Sequence, residues 1–355
     1  MNDFIGNQRA RNILQRAIEQ DRLPHAMIFA GPAGVGKCTL ALLTAQALNC
    51  LAPQNGNACG QCSVCRRIGA YVENRHKECV KGAEAACGAC AVCQGRNRRH
   101  PDVRLIEPEK KTAISIDQIR DIITETAFQP LEARYRVVIL DPADQMRAEA
   151  QNSLLKTLEE PPSRTVMILI ATNPYLLLET IRSRARILPF GEIPADRIAR
   201  HLARNEGKSE PDALLAAALS GGSLGAALEF NTAEYRDVRE SALEFVTLLL
   251  NRGSFTKASA LVASVTKDKD KDVFRTWIES AEAILRDIYY AGAAAGRVCQ
   301  HDLVEKLRTL RENTKHSHLI RAIEAIRKLR MDLHYNLNRQ IALEALFVGL
   351  SRSLY

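Results

Sequence analysis

The run Gly31-Pro32-Ala33-Gly34-Val35-Gly36-Lys37 constrains the fold of this chain more than any other stretch. It fits G-x-x-x-x-G-K and lies between a short apolar run, Met27–Ala30, and a helical stretch from Lys37 to Leu48. That is the context the pattern requires: a strand, a turn of glycines, then a helix. The glycines let backbone N–H groups face inward around phosphate oxygens, the helix N-terminus favours an anion, and Lys37 adds a point charge. Candidate phosphate-binding residues are therefore Gly31, Gly34, Gly36 and Lys37, with Cys38 and Thr39 just beyond.

Strands and helices continue in alternation. Val103–Ile106 reads as a second strand. Ser115 to Gln129 reads as a helix opened by a capping box of Ser115 with Gln118. Arg136–Leu140 and Val166–Ala171 are near-continuous apolar runs, the pattern of parallel strands covered on both faces. Between them, Gln145–Glu160 reads as a helix stopped by Pro161-Pro162. The alternation implies a parallel α/β sheet.

Beyond Pro189 the pattern turns helical, with Ile193–Asn205 and Pro211–Leu219, then a turn at Gly221-Gly222. Apolar residues recur at helical spacing from about Glu234, and the last stretches are Leu303–Arg311, Leu319–Leu333 and Leu337–Leu354. The expected division is an α/β domain over residues 1–190 with an insertion at about 50–99, a helical lid over 191–233, and a helical C-terminal domain over 234–355.

The chemistry of the phosphate loop is incomplete. After Lys37 the pattern carries Ser or Thr as a magnesium ligand; here Cys38 stands there, and a soft thiol is a poor ligand for a hard ion. Thr39 lies roughly 100° further around the helix and does not replace it. The strand Val137–Leu140 ends in Asp141, suited to hold a magnesium-bound water, but Pro142 occupies the position of the carboxylate that polarises attacking water. Proline accepts no proton. ATP or ADP with weakly held magnesium is a conceivable ligand, and hydrolysis by this chain alone is not expected.

Ten cysteines in a chain without an export-type N-terminus point to metal rather than disulfides. Cys50, Cys59, Cys62 and Cys65 are spaced as C-x8-C-x2-C-x2-C, and closely spaced thiolates cover adjacent vertices of a zinc tetrahedron. Cys79, Cys87, Cys90 and Cys93 form a second set. Its core, Ala86–Cys93, nearly repeats Ala58–Cys65, as an internal duplication would. One or two structural zinc ions are expected; shared ligands or an unfilled half stay open, with His76 and His100 as alternative ligands. Arg66, Arg67, Arg75, Lys77, Lys81, Arg96, Arg98 and Arg99 make the region basic, as a solvated loop or as a contact for DNA or an acidic partner. The net charge of +8 decides nothing by itself. No run of about 18 apolar residues exists, so a cytoplasmic protein without a membrane span is expected.

Several motifs resemble those of the bacterial clamp-loader subunits of DNA polymerase III, proteins of AAA+ fold. Leu154-Leu155-Lys156-Thr157-Leu158-Glu159-Glu160-Pro161-Pro162 is similar to a hallmark of that family. Ala171-Thr172-Asn173 looks like its sensor-1 segment, and Ser183-Arg184-Ala185 like its Ser-Arg-Cys motif with alanine in place of cysteine. The single zinc module of the family is doubled here, and His100-Pro101-Asp102-Val103 resembles the strand entry that follows it. Asn338–Leu350 resembles the final collar helix.

The resemblance implies a P-loop AAA+ domain, a lid and a helical collar, with Asp141 and Asn173 joining the nucleotide site. It implies that Arg184 reaches a neighbouring subunit's ATP as an arginine finger; the bland alternative is a structural salt bridge. Pro142, and Gly225 where a sensor-2 arginine belongs, favour a delta-prime-type stator over a gamma/tau-type motor, as does a C-terminus directly after the collar helix. The implied partners are the gamma/tau and delta subunits, the sliding clamp and primed DNA. The competing readings are an active motor-type ATPase and a stand-alone zinc-containing nucleic-acid-binding protein.

Overall fold

The computed structural model of the chain describes residues 4–74, 100–108, 113–267, 271–292, 298–333 and 337–352. They form two compact units, residues 1–198 with 221–226, and residues 199–220 with 227–355. The finer three-way division expected from the sequence remains a proposal.

The first unit is built on β1 (Ala26–Ala30), β2 (Val103–Ile106), β3 (Arg136–Leu140), β4 (Thr165–Ala171) and β5 (Arg186–Pro189), paired in the order β2-β3-β4-β1-β5 with every pairing parallel. Its helices are α1 (Gln8–Glu19), α2 (Lys37–Leu48), α3 (Ser63–Asn74), α4 (Ile116–Thr126), α5 (Ala148–Glu159) and the short α6 (Glu179–Arg182). Strands β1, β3 and β4 are buried along their whole length. The two-residue period of a strand sends Met27, Phe29, Val137, Ile139, Val166 and Ile168 to one face, where they meet α1, α2 and α3. Ile28, Val138, Leu140, Met167 and Leu169 face the other way, against Ile119 and Ile122 of α4 and Leu154 and Leu158 of α5. Two apolar layers explain why these strands read as unbroken hydrophobic runs.

Helix α4 begins as the sequence requires: Ser115 Oγ accepts from the Gln118 N–H, and Gln118 returns the bond to the Ser115 N–H. The stretch expected as one helix from Gln145 is split into a 3-10 turn at Ala143–Gln145 and α5. In this unit α1, α3, α6 and β5 have no counterpart in the sequence reading. The edge strand β5 leaves three of its four residues exposed, so it carries little apolar signal.

The second unit is helical: α7 (Ala195–Asn205) and α9 (Leu224–Glu229), which both start in the first unit, α8 (Glu210–Leu219), α10 (Thr232–Leu250), α11 (Phe255–Thr266), α12 (Lys271–Ala291), α13 (Val304–Glu312), α14 (His316–Asp332) and α15 (Arg339–Arg352). Helices α10 to α15 share one core around Phe245, Trp277 and Phe347. The Phe245 and Trp277 rings meet edge to face at 5.2 Å, and the Trp277 indole N–H donates to Ser241 Oγ at 2.9 Å, so the burial of the ring strands no polar group.

Candidate nucleotide and metal sites

The sheet order gathers the candidate nucleotide residues. Strands β3, β4 and β1 are neighbours and parallel, so the loops leaving their C-terminal ends share one edge. The glycine loop leaves β1, Asp141 leaves β3 and Asn173 leaves β4. Gly34 and Gly36 have φ of 70° and 90°, a region closed to most side chains.

The loop is covered by its own unit. A Cβ on Gly34 would lie 2.0 Å from Ser223 Oγ, and one on Gly36 would lie 2.8 Å from the Phe4 ring. The Gly225 N–H donates to Gly34 O at 3.0 Å, and a Cβ on Gly225 would come within 3.2 Å of Gly34 Cα. Gly225 therefore packs backbone to backbone on the phosphate loop. Lys37 is 6% exposed, and its ammonium donates to Gly31 O at 2.6 Å and Pro32 O at 2.5 Å. Burial pushes its pKa down, against the pull of Asp141 and Asp144. The cradle is present, but its lysine is held by the loop's own carbonyls.

After β3 the Asp141-Pro142 peptide is cis, and the Pro142 ring offers no acceptor. Asp144 supplies a carboxylate that the sequence reading passed over. It is 8% exposed, and Oδ2 accepts the N–H groups of Thr172 at 2.7 Å and Asn173 at 2.8 Å. Asn173 is itself engaged, its Oδ1 accepting the Tyr175 N–H at 3.0 Å. Asp144 thus ties the loop after β3 to the loop after β4. A second acid three residues after Asp141 was the available signal.

Arg184 follows α6 with its side chain 36% exposed. Its guanidinium pairs with Glu159 Oε1 at 2.7 Å and donates to Thr180 O at 3.0 Å and Ser183 Oγ at 3.3 Å. The acceptor Glu159 belongs to the Leu154–Pro162 hallmark run, so two motifs far apart in sequence meet in one ion pair.

The first cysteine set converges. The sulfurs of Cys50, Cys59, Cys62 and Cys65 all lie within 4.8 Å of one another, with Cys59 and Cys65 at 3.9 Å. Zinc–sulfur bonds of about 2.3 Å place tetrahedral sulfurs roughly 3.8 Å apart, so the group has the right size for zinc. Backbone N–H groups point at sulfur as they do around thiolates: Cys59 N–H to Cys50 Sγ at 3.2 Å, Cys62 N–H to Cys59 Sγ and Cys65 N–H to Cys62 Sγ, both at 3.4 Å. The N–H groups of Gln61 and Cys62 bring the Cys59 thiol down to about 6. Four protein ligands would leave no open position on a bound zinc, the arrangement of a structural rather than a catalytic site.

The module is anchored to the sheet. Cys50 follows α2, Gln46 of α2 donates to Cys65 O at 2.7 Å, and Asn49 exchanges two hydrogen bonds with the Tyr135 backbone, at 2.8 and 3.0 Å. Cys79, Cys87, Cys90, Cys93 and His76 lie outside the described residues. His100 stands apart from the four thiols, its Nδ1 accepting the Asp102 N–H at 3.2 Å.

Asp102 is a buried anchor rather than a ligand. Its carboxylate accepts the N–H groups of Leu131 and Glu132 at 2.8 Å and Ala133 at 2.9 Å, and meets Arg136 at 3.3 Å. Burial alone would raise its pKa; those N–H groups and Arg136 outweigh it and hold the carboxyl below its usual range.

A five-stranded parallel sheet with a phosphate loop after β1, an acid after β3 and a polar segment after β4 defines a P-loop protein of AAA+ type. The chain belongs to the family described as DNA polymerase III, delta subunit, whose model matches residues 6–79 and 73–194, more than half of its length. It is 33% identical over 233 residues to the DNA polymerase III subunit delta′ of Pseudomonas aeruginosa, covering 64% of this chain and 62% of that one. Against subunit delta′ of Bacillus subtilis it is 36% identical over 182 residues, 51% of this chain and 46% of the relative. The Bacillus subtilis subunit tau is also similar, 31% over 230 residues, covering 62% of this chain and 35% of that protein. The chain thus spans less than two thirds of the curated relatives it matches.

Proposed function

We propose that this chain is a delta-prime-type stator of a bacterial clamp loader, working with gamma/tau-type motor and delta subunits to place the sliding clamp on primed DNA in the cytoplasm. The observation that carries it is the pairing of a silent site with a presented arginine. Pro142 leaves no base for water beside Asp141, Cys38 stands where a hard magnesium ligand belongs, and Lys37 is tied to its own loop. Arg184 remains partly exposed, on a guanidinium fixed by Thr180 O and Glu159.

In this reading Gly31, Gly34, Gly36, Lys37, Cys38, Thr39, Asp141 and Asn173 are the residues that would hold a nucleotide, as a structural ligand rather than a substrate. The chain's chemical contribution is Arg184, a guanidinium supplied to the neighbouring subunit's ATP, where it neutralises charge developing on the γ-phosphate. The ion pair with Glu159 keeps it oriented until a phosphate competes for it. Zinc on Cys50, Cys59, Cys62 and Cys65 holds the insertion against α2, and the repeated cysteines supply a second such site.

Among the described residues no helix is long and apolar enough to cross a membrane. The test is a clamp-loader complex reconstituted with Arg184→Ala in this chain. Removing an arginine finger costs on the order of 10³-fold or more at the site it serves, so clamp- and DNA-stimulated ATP turnover should fall clearly. Unchanged turnover would remove the finger from the account.

A further inference from the structure

We propose that Glu159 makes the engagement of Arg184 depend on which nucleotide the neighbouring subunit holds, by competing with that subunit's phosphates for the guanidinium. The competition presupposes that Arg184 is the arginine finger of the proposed function.

Two elements hold Arg184. On its own side, its backbone N–H donates to Ile181 O at 3.1 Å, and guanidinium Nη1 donates to Thr180 O at 3.0 Å and Ser183 Oγ at 3.3 Å. These neutral acceptors already give the side chain its direction. Glu159 adds what they lack, a full negative charge, with Oε1 at 2.7 Å from Nη2. The two side chains are 36% and 50% exposed, so a partner's phosphate can reach the guanidinium without opening the fold.

That charge sits where its own helix does not favour it. Glu159 is the last residue of α5 and Glu160 is the C-cap, both at the negative end of the helix dipole. Pro161 and Pro162 follow and have no N–H to offer a carboxylate. An acid in this place gains nothing from α5. Its stabilising contact is with Arg184, and a carboxylate at odds with its helix yet paired to the presented cation points to control of that cation.

An ion pair between exposed groups is weak enough to exchange. A phosphate offers the guanidinium fork two oxygens and more charge than one carboxylate, so the γ-phosphate of a neighbouring ATP can draw Arg184 off Glu159. ADP lacks that group, and the guanidinium stays on Glu159. The carboxylate therefore subtracts from the attraction between subunits in the triphosphate state and leaves the diphosphate state alone. Once the γ-phosphate is gone, Arg184 has a charged partner to return to.

Glu159→Gln separates charge from geometry, because an amide oxygen still accepts from Arg184 but carries no charge. The experiment measures the affinity of the full chain for a gamma/tau-type motor subunit, once with a non-hydrolysable ATP analogue and once with ADP. The wild type should bind more tightly with the analogue, and Arg184→Ala should erase that difference. Glu159→Gln should tighten binding with the analogue by about two- to fivefold, the range of an exposed ion pair, and leave binding with ADP unchanged. Combined with Arg184→Ala, it should have no effect. The Glu159 side chain is half exposed, so the unfolding midpoint of Glu159→Gln should stay that of the wild type.

Glu159→Gln that binds like the wild type, binds more weakly, or binds more tightly in both nucleotides overturns the competitor, while Arg184→Ala still reports on the finger. If Arg184→Ala leaves the difference between the two nucleotides intact, the finger falls and the competitor falls with it.

Discussion

Replacing Asp102 by alanine tests whether one buried carboxylate fastens the segment before β3. The carboxylate takes three backbone N–H groups, from Leu131, Glu132 and Ala133, and sits 3.3 Å from Arg136, which is 5% exposed. Arg136 keeps other acceptors, the carbonyls of Glu125, Phe128 at 2.9 Å and Gln129 at 3.2 Å, but loses its counter-charge. Hydrogen bonds to a charged group contribute roughly 1.5–3 kcal/mol each, and a buried cation deprived of its partner costs roughly 3–5 kcal/mol. These overlap, and part of the loss is recovered by water, so about 3–5 kcal/mol is expected for the whole substitution. That is a large share of the ~5–15 kcal/mol that holds a domain folded.

Hydrogen exchange reads the effect residue by residue. The amides of Leu131, Glu132 and Ala133 should lose protection, while those within β4 keep most of theirs until the unit unfolds globally. The same carboxylate sets an acid limit. Its folded pKa lies below the unfolded value near 3.9, so its contribution is complete above about pH 4 and is lost as pH falls through the lower folded value. Asp102→Ala should therefore narrow its gap to the wild type as the solution is acidified below pH 4. A loss under about 1 kcal/mol, with protection at residues 131–133 unchanged, would refute the anchor.

Elemental analysis of the purified chain should find two zinc ions, one or none contradicting the second site, and Cys62→Ser should remove one of them. A zinc content unaffected by Cys62→Ser contradicts the site at Cys50, Cys59, Cys62 and Cys65. Cys38→Thr restores a hard oxygen beside Lys37, so magnesium should tighten nucleotide binding to the variant more than to the wild type, as calorimetry with and without the ion would show. Equal magnesium dependence in both would mean that Cys38 is not the reason for weak metal binding.

Much of the fold was legible because the central strands are unusual in sequence. Val137–Leu140 and Val166–Ala171 have no polar residue to interrupt them, and burial on both faces is the reason. The Ser115–Gln118 capping box is local chemistry and was readable for the same cause. Edge strand β5 escaped because exposed Arg186, Ile187 and Pro189 carry no apolar alternation. Helix α1 escaped because only Ala10 and Leu14 of its twelve residues are buried.

In the candidate sites, the four cysteines announced themselves by spacing. The roles of Asp102 and Asp144 did not, since each works through backbone N–H groups some thirty residues away, where no side-chain pattern exists to be read. Gly225 was visible as a missing arginine, but its packing on Gly34 depends on the chain returning from residue 221 to the phosphate loop.

The central claim is that this chain lends an arginine to another subunit's chemistry while performing none itself. The most direct measurement is steady-state hydrolysis of magnesium-ATP by the purified chain alone, beside its Lys37→Ala variant. With Pro142 in place of a base and Lys37 held by Gly31 and Pro32, the two proteins should be indistinguishable, both at background. Magnesium-dependent turnover by the wild type that disappears in Lys37→Ala would show a working motor and contradict the account.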